Sequence, residues 1–399
     1  RSTLFPYTTL FRSRDFAATL IQRFGRLANK RVGENAGGTS SLLETGYAYD
    51  LHGWTTGIEV GQRSALGALD TLFVETLHYA SPEKDMQAAR FDGNISETVF
   101  KHRVGTSPSY TIQANTWSYA YDGLKRLTAA SHFSGSSLTS SLTDTERGIG
   151  YDLNGNMTAL TRYHASGLKN DLTFFHTGNR MTSMTDANAI GSDAGARAFT
   201  YDANGNLTYD GCQDLEIRWN ILNLASGAET QDCSLTYTRL SDGALVSSQA
   251  VSGNSTTGKR YCGSFVFSTG TGITTPLVES IAWDEGRIFH DAQTGTYRDC
   301  WFAGDHLGDV RSAVDISPNQ SSPVVLEQND YLPFGTKIAN PLHAQMDANR
   351  WRYAGKEEFP EMNLLDFGAR LYDPFTARWN EVDPMAKTYV STGPYGYCA

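Results

Sequence analysis

Charge is scarce in this sequence, and positive charge is the scarcer sign. Charged residues make up 19% of 399, and 33 Lys and Arg stand against 43 Asp and Glu, for a net charge of −10. No basic run offsets that balance. A general nucleic-acid binder is therefore excluded, because phosphate contacts need clustered Lys and Arg. No stretch approaches the ~18 consecutive apolar residues of a membrane-spanning helix. The five cysteines, Cys212, Cys233, Cys262, Cys300 and Cys398, include no CxxC pair. That excludes a dense disulfide framework and a cysteine-based structural zinc site. Cys212 and Cys233 could pair in an oxidising compartment, but half-buried free thiols are the plainer reading. The nine histidines are dispersed from His52 to His343 without HxH or HxxxH spacing. No metal site and no cofactor are expected.

What is abundant is Gly, Tyr and Phe, at 38, 20 and 19, against only 12 Pro. With 40% apolar residues a sizeable core is available. Aromatic-rich, turn-rich composition points to many short strands. Helical periodicity is scarce. The one candidate helix, Ala17 to Lys30, carries Gly25 where a hairpin frame needs it.

The ends are expected to be unnatural. Residues 1–13, RSTLFPYTTLFRS, fit no frame that follows, and Thr3 to Ser13 are similar to a translated sequencing adaptor. They are expected to lie outside the fold. Pro394-Tyr395-Gly396-Tyr397-Cys398-Ala399 carries no turn or cap, so a fragment is expected.

Tyr151-Asp152-Leu153-Asn154-Gly155-Asn156-Met157-Thr158 recurs as Tyr201-Asp202-Ala203-Asn204-Gly205-Asn206-Leu207-Thr208. Tyr121-Asp122-Gly123-Leu124-Lys125-Arg126-Leu127-Thr128 keeps the frame. Phe175 to Met181, Tyr49-Asp50-Leu51-His52-Gly53 and Ile21 to Leu27 are weaker copies. Asn-Gly alone suggests a two-residue hairpin loop, which would put Tyr201 and Leu207 on opposite faces. A three-residue loop, Ala203 to Gly205, pairs Tyr201 with Leu207 and Phe199 with Tyr209 on one face. Asp202 then opens a type I turn, and Gly205 closes it in the left-handed region. The same register pairs Tyr121 with Leu127, Tyr151 with Met157, Phe175 with Met181 and Ile21 with Leu27. Tyr49 meets Thr55 instead. The left-handed position falls to Gly25, Gly53, Gly155 and Gly205, to Asn179, and to Lys125 with some strain. A lone hairpin is marginal in water, so the units must join one sheet. Intervals of 72, 30 and 50 residues separate Tyr49, Tyr121, Tyr151 and Tyr201, so the repeat is irregular.

These units resemble the YD repeats of the RHS family. An ordered C-terminal series makes the resemblance specific. Asp305-His306-Leu307-Gly308 resembles the family's DHLG segment, and Tyr331-Leu332-Pro333-Phe334-Gly335 its YxPFG turn. Tyr353-Ala354-Gly355-Lys356-Glu357, Gly368 to Tyr372-Asp373-Pro374, Arg378-Trp379, Asp383-Pro384 and Pro394 to Tyr397 follow in the order of the RHS repeat-associated core. Tyr47 to Trp54, Phe91 to Ile95 and Tyr261-Cys262-Gly263 look like the subtype of Bacteroidetes-like bacteria. The resemblance spans residues 20–399. It implies an all-β fold, a ribbon of hairpins spiralling into a hollow shell that the core segment closes. It also implies an exported, cell-surface or extracellular protein. The implied partner is a C-terminal effector domain of the same polypeptide, often a toxin, with a cognate immunity protein. The family's self-cleavage motif would lie beyond Ala399, and no catalytic residue carries over.

Residues 14–300 are thus expected to form the repeat region and 301–399 the core. Structural roles are expected for Tyr121, Asp122, Tyr151, Asp152, Gly155, Tyr201, Asp202, Gly205, Asp305, His306, Gly308, Tyr372, Asp373 and Pro374. Asp305-His306 could be half of an acid–base pair, but no nucleophile or third member accompanies it. A turn-bound Asp and a hydrogen-bonded His is the simpler role. Asp202 with Asn204 might suggest calcium, yet the EF-hand pattern is absent. Arg350, Arg352, Arg370 and Arg378 alternate with Trp351, Tyr353, Tyr372 and Trp379, which at strand period gives one packed and one solvated face. The expected function is a non-enzymatic scaffold. The alternative is a cell-surface adhesin or glycan-binding repeat protein, whose hairpin ribbon binds glycan or a neighbouring cell.

Overall fold

A computed structural model describes residues 21–397 apart from 24–25, 33–42, 64–68, 86–87, 106–109, 136–140, 165–166, 192–193, 292–293, 318–321 and 389–392. Residues 1–13, Gly25 and Cys398 lie outside the described residues. Among the described residues there is no α-helix. Twenty-five strands, from Ile21–Arg23 to Val324–Gln328, form one antiparallel sheet. Each strand pairs with the next in sequence. The chain is all-β, as its composition and repeats require. Sequential antiparallel pairing needs only short turns between strands, which is where Gly, Asp and Asn are spent.

Alternation sets which face is buried. In Leu215–Trp219, Leu215 and Ile217 are buried while Glu216 and Arg218 are exposed. The sheet also curls. Leu72, Phe73, Phe100 and Trp117 share one core with Trp301, Val314, Ile316 and Leu332, from the far end of the meander. A second core joins Leu160, Leu172, Phe199, Leu215 and Leu235 to Phe334, Phe359, Leu364 and Leu371. Phe334 sits in the turn between Asp330–Tyr331 and Lys337–Ile338, and the other three belong to short strands laid over the sheet: Glu357–Phe359, Leu364–Asp366, Leu371–Asp373 and Arg378–Trp379 make a sheet of four.

One turn geometry recurs. Tyr49 stands opposite Thr55, Tyr121 opposite Leu127, Tyr151 opposite Met157 and Tyr201 opposite Leu207. Trp219/Ala225, Arg239/Leu245, Gly304/Val310 and Tyr331/Lys337 repeat the interval. Two backbone bonds define the turn, shown by Asp202 N to Asn206 O at 3.0 Å and Gly205 N to Asp202 O at 3.2 Å. The fourth turn residue has positive φ in all eight: Gly53, Lys125, Gly155, Gly205, Asn223, Gly243, Gly308 and Gly335. The DHLG and YxPFG segments are thus the same turn as the YD units.

Three register expectations need correction. A β-bulge lies one residue outside the Tyr201/Leu207 pair, so Phe199 meets Asp210 and Tyr209 meets Thr200. The extra residue belongs to this turn type, which adds one residue to the returning strand. In the Phe175 copy, His176 pairs with Met181 and Thr177 with Arg180 around a two-residue loop. Gly178, at φ +60°, takes the left-handed conformation rather than Asn179. Phe175 therefore points away, 49% exposed, while Met181 is 1% exposed. Gln22, not Ile21, stands opposite Leu27, and a shift beside it moves Ile21 to Asn29.

Candidate functional site

The turns stack into a row because hydroxyl, guanidinium and amide groups of one turn reach its neighbour. The Tyr151 hydroxyl donates to Leu127 O at 2.9 Å, that of Tyr121 to Ile95 O at 2.8 Å, and that of Tyr49 to Leu27 O at 2.9 Å. Trp219 Nε1 donates to Leu207 O at 2.7 Å in the same place. The Arg126 guanidinium lies 4.5 Å from the Tyr151 ring centre, and Arg180 lies 5.8 Å from that of Tyr201. Asn156 and Asn206, at the position Arg126 occupies in its turn, bridge instead. Asn156 Nδ2 donates to Gly178 O at 3.1 Å, and Asn206 Nδ2 to Asn223 Oδ1 at 2.9 Å.

The repeat aspartates are consumed inside their own turns. Asp152 Oδ1 accepts the amides of Asn154 and Asn156 at 2.9 and 2.8 Å, and Oδ2 accepts Asn156 Nδ2. Asp202 binds Asn206 in the same way at 2.9 and 2.8 Å. Asp122 accepts Leu124 and Arg126 amides at 2.9 and 3.0 Å. Asp305 Oδ1 accepts Leu307 and Asp309 amides, each at 3.0 Å, while Oδ2 takes Arg311 Nε at 2.7 Å. A carboxylate at the first turn position satisfies amides that the turn leaves unpaired, which is why Asp or Asn recurs there.

Two buried seams tie the C-terminal segment to the sheet. In the first, buried Glu75 accepts His306 N and Nδ1 at 2.9 and 2.7 Å. Burial alone would depress the His306 pKa, but the Glu75 hydrogen bond and charge hold it above the ordinary value. Arg311 lies among Asp305, Asp309 and Asp330 at 2.7, 3.8 and 3.5 Å, with its guanidinium 3.9 Å from the Phe100 ring centre. His102 Nε2 meets Asp330 Oδ1 at 3.1 Å, and its ring is 5.2 Å from that of His343. Burial and the charge of Asp305 push Asp309 up to about 7. Burial opposes ionisation of Asp330 too, but His102 and Arg311 hold its pKa well below the usual carboxylate range. Asp309 Oδ1 also accepts Ala354 N at 2.7 Å.

In the second seam, buried Arg162 donates to Glu146 Oε1 at 2.7 Å, Pro374 O at 3.1 Å and Phe375 O at 2.5 Å. Asp373 accepts Phe375 N at 2.8 Å and Thr376 Oγ1 at 2.6 Å. Tyr372 donates to Phe334 O at 2.7 Å and stacks on Tyr397 at 4.0 Å. The segment also reaches the turn row. Leu207 N donates to Asn380 O at 2.8 Å, and the Tyr395 hydroxyl to Gly205 O at 2.7 Å. A Cβ on Gly205 would lie 2.7 Å from that hydroxyl oxygen and 2.8 Å from Val382 Cγ2. Gly155 and Gly308 face open space or ordinary contacts at most.

The alternating arginines do not form a solvated face. Arg352 binds Glu327 and Glu358, Arg370 binds Asp383 and covers Trp379, and Arg378 reaches Asn179 O at 3.1 Å under Tyr395. Each guanidinium finds an internal acceptor once the short strands fold back on the sheet. Cys212 and Cys233 are free thiols, and burial pushes the Cys212 thiol well up. Among the described residues no group of three His, Cys, Asp or Glu is placed to hold a metal ion, and no helix is long and apolar enough to cross a membrane. Asp305 and His306 come together with Glu75, His102, Arg311 and Asp330, which sequence reasoning missed. Asp309 and Arg311 carried a local signal, four and six residues after Asp305. Glu75 and His102 sit inside strands and carried none.

No family model matches the chain. Among curated proteins, salivary gland surface protein 1 of Aedes aegypti is 36% identical over 93 residues, covering 23% of this chain and 2% of that protein. Among solved structures, the Tc holotoxin pore of Photorhabdus luminescens aligns with 94% of this chain and 20% of its own, at 14% identity and a TM-score of 0.51. The crystal structure of TcdB2-TccC3 without its hypervariable C-terminal region aligns over the same share at 13% identity and a TM-score of 0.48. The chain spans about a fifth of the length of these structures. At such identity the Tc holotoxin match establishes the fold and nothing further.

Proposed function

We propose that this chain is a non-enzymatic structural scaffold, part of an RHS-type shell that encloses and presents a C-terminal effector of the polymorphic-toxin kind. One observation carries the reading: an unbroken sequential meander whose stacked turns are gripped by an ordered C-terminal segment. A wall needs continuous hydrogen bonding, self-similar units and a closed end. The first two describe where this chain spends its turn chemistry, and none of the three requires a reacting group. The repeat aspartates support the same reading, because their carboxylate oxygens are occupied by turn amides. In this proposal residues 14–300 form wall, 301–399 the closing core, and the whole is exported. Tyr121, Asp122, Tyr151, Asp152, Gly155, Tyr201, Asp202, Gly205, Asp305 and Gly308 act by shaping turns.

The test joins residues 14–399 to the downstream segment encoded at the same locus and compares it with 14–399 alone. The joined protein should protect its downstream domain from added protease, and the short form should remain a single uncut band. Equal digestion of the downstream domain, attached or detached, would overturn enclosure. Glycan-dependent cell binding by the short form would favour the adhesin. Site-specific cleavage within the short form would overturn the non-enzymatic role.

A further inference from the structure

Two turns of the row carry the same Asp-x-Asn-Gly-Asn sequence, at Asp152 to Asn156 and Asp202 to Asn206. They share one backbone geometry. Gly155 N donates to Asp152 O at 3.1 Å and Gly205 N to Asp202 O at 3.2 Å. In each, an asparagine side-chain amide precedes a glycine nitrogen that no Cβ shields. That nitrogen and the amide carbon are bonded neighbours in the chain and can close a five-membered ring. The surroundings of the two turns differ. Asn204 Nδ2 donates to Asn223 Oδ1 at 2.9 Å, Gly205 O accepts the Tyr395 hydroxyl at 2.7 Å, and Leu207 N donates to Asn380 O at 2.8 Å. Both asparagines are exposed, but Gly205 is buried and Gly155 is not. Among the described residues the Asn154 side-chain amide has no hydrogen-bond partner. Leu153 beside it stands fully in solvent. Gly393 of the closing segment passes Gly155 at ordinary contact distance.

We propose that Asn154 is a site of spontaneous deamidation and that Asn204, in the same sequence and the same turn, is shielded from it. The Gly155 nitrogen, having given its proton to solvent base, attacks Asn154 Cγ. The new N–C bond forms, the Cγ–Nδ2 bond breaks, and Nδ2 leaves as ammonia. Water then opens the cyclic imide at either carbonyl, leaving aspartate or isoaspartate. The balance is one water consumed and one ammonia released, with no oxidant or reductant. Attack requires the glycine nitrogen to leave the aspartate carbonyl and the turn to open. At Asn154 that breaks the bonds within the turn. At Asn204 it also works against the bonds to Asn223, Tyr395 and Asn380. A net hydrogen bond is worth about a five-fold change in population, so three make the second turn about a hundred-fold slower. Isoaspartate adds a methylene to the backbone, and the two turn bonds then lose their register. The damage reaches both neighbouring turns, because Arg126 Nη1 donates to Asp152 O at 3.4 Å and Asn156 Nδ2 to Gly178 O at 3.1 Å. The wall thus has a built-in ageing point between the Tyr121 and Phe175 hairpins.

The experiment is incubation of the full chain in mildly alkaline buffer, followed by peptide mapping with mass spectrometry that separates isoaspartate from aspartate. Asn154 should convert about a hundred-fold faster than Asn204 in the folded chain, and the two should convert at similar rates in denaturant. Tyr395→Phe, which removes the bond to Gly205 O, should speed Asn204 about five-fold and leave Asn154 unchanged. Equal rates at the two sites in the folded chain, or faster conversion at Asn204, would overturn the proposal. So would a folded chain in which neither site converts while both convert in denaturant. If Tyr395→Phe does not fold, the comparison of native and denatured chain decides by itself.

Discussion

The two seams hold the same C-terminal segment to the same sheet with different sets of buried charges. In the first, Glu75 meets His306, His102 meets Asp330, and Arg311 lies among Asp305, Asp309 and Asp330. In the second, Arg162 pairs with Glu146, while buried Asp210 and Asp373 accept local hydrogen bonds from Cys212 N and from Phe375 N and Thr376 Oγ1. Complementary pairs weaken when either member loses its charge, whereas like-charged pairs weaken when both members gain theirs. Both joints therefore respond to pH: His306 and Asp309 in the first carry raised pKa values, and burial raises the carboxyls of Asp210 and Asp373 in the second. The wall itself is built differently again, from turn amides and tyrosine hydroxyls that do not titrate near neutrality.

The sharpest way to break the contrast is Arg311→Ala. It strands Asp305, Asp309 and Asp330 in a buried site and should cost about 3–5 kcal/mol, read from the denaturation midpoint. Asp210→Asn in the other seam should stabilise at neutral pH, so the two variants should shift in opposite directions. A smaller effect separates two turns of identical conformation. Gly205 and Gly155 have φ of +92° and +83°, but only Gly205 lies against Tyr395 and Val382. Gly205→Asn should cost about 2 kcal/mol by strain and overpacking, and Gly155→Asn under about 1 kcal/mol. Gly205→Val should be worse still. Equal midpoints for the two Asn variants would mean that the closing segment does not press on the turn row.

The pH response of the first seam sharpens the comparison. His306 has a raised pKa, so its stabilisation is fully present below the unfolded value of about 6.5 and is lost as the pH rises through the folded value. His306→Asn should remove about 1.5 kcal/mol at pH 6 and little at pH 9, measured by denaturant melts at both. The smallest expected effect is Tyr151→Phe. It deletes one bond to Leu127 O between adjacent turns and should cost about 1 kcal/mol at every pH. A pH-dependent loss there would show that the wall and the seams are not separable.

By itself the sequence determined the fold class and the local turn. Asp202, Gly205 and the six-residue interval from Tyr201 to Leu207 are short-range requirements, written into neighbouring residues by sterics and amide satisfaction. Even there it erred where one residue of loop length changed the register. The Phe175 copy closes at Gly178, and that single step turned Phe175 outward. What only the tertiary structure decided is which residues meet across the curled sheet. His306 finds Glu75, His102 finds Asp330 and Arg162 finds Pro374, over separations of 231, 228 and 212 residues. The charge states of these buried groups depend on desolvation and on those partners, and neither exists until the meander has curled and the segment has closed upon it.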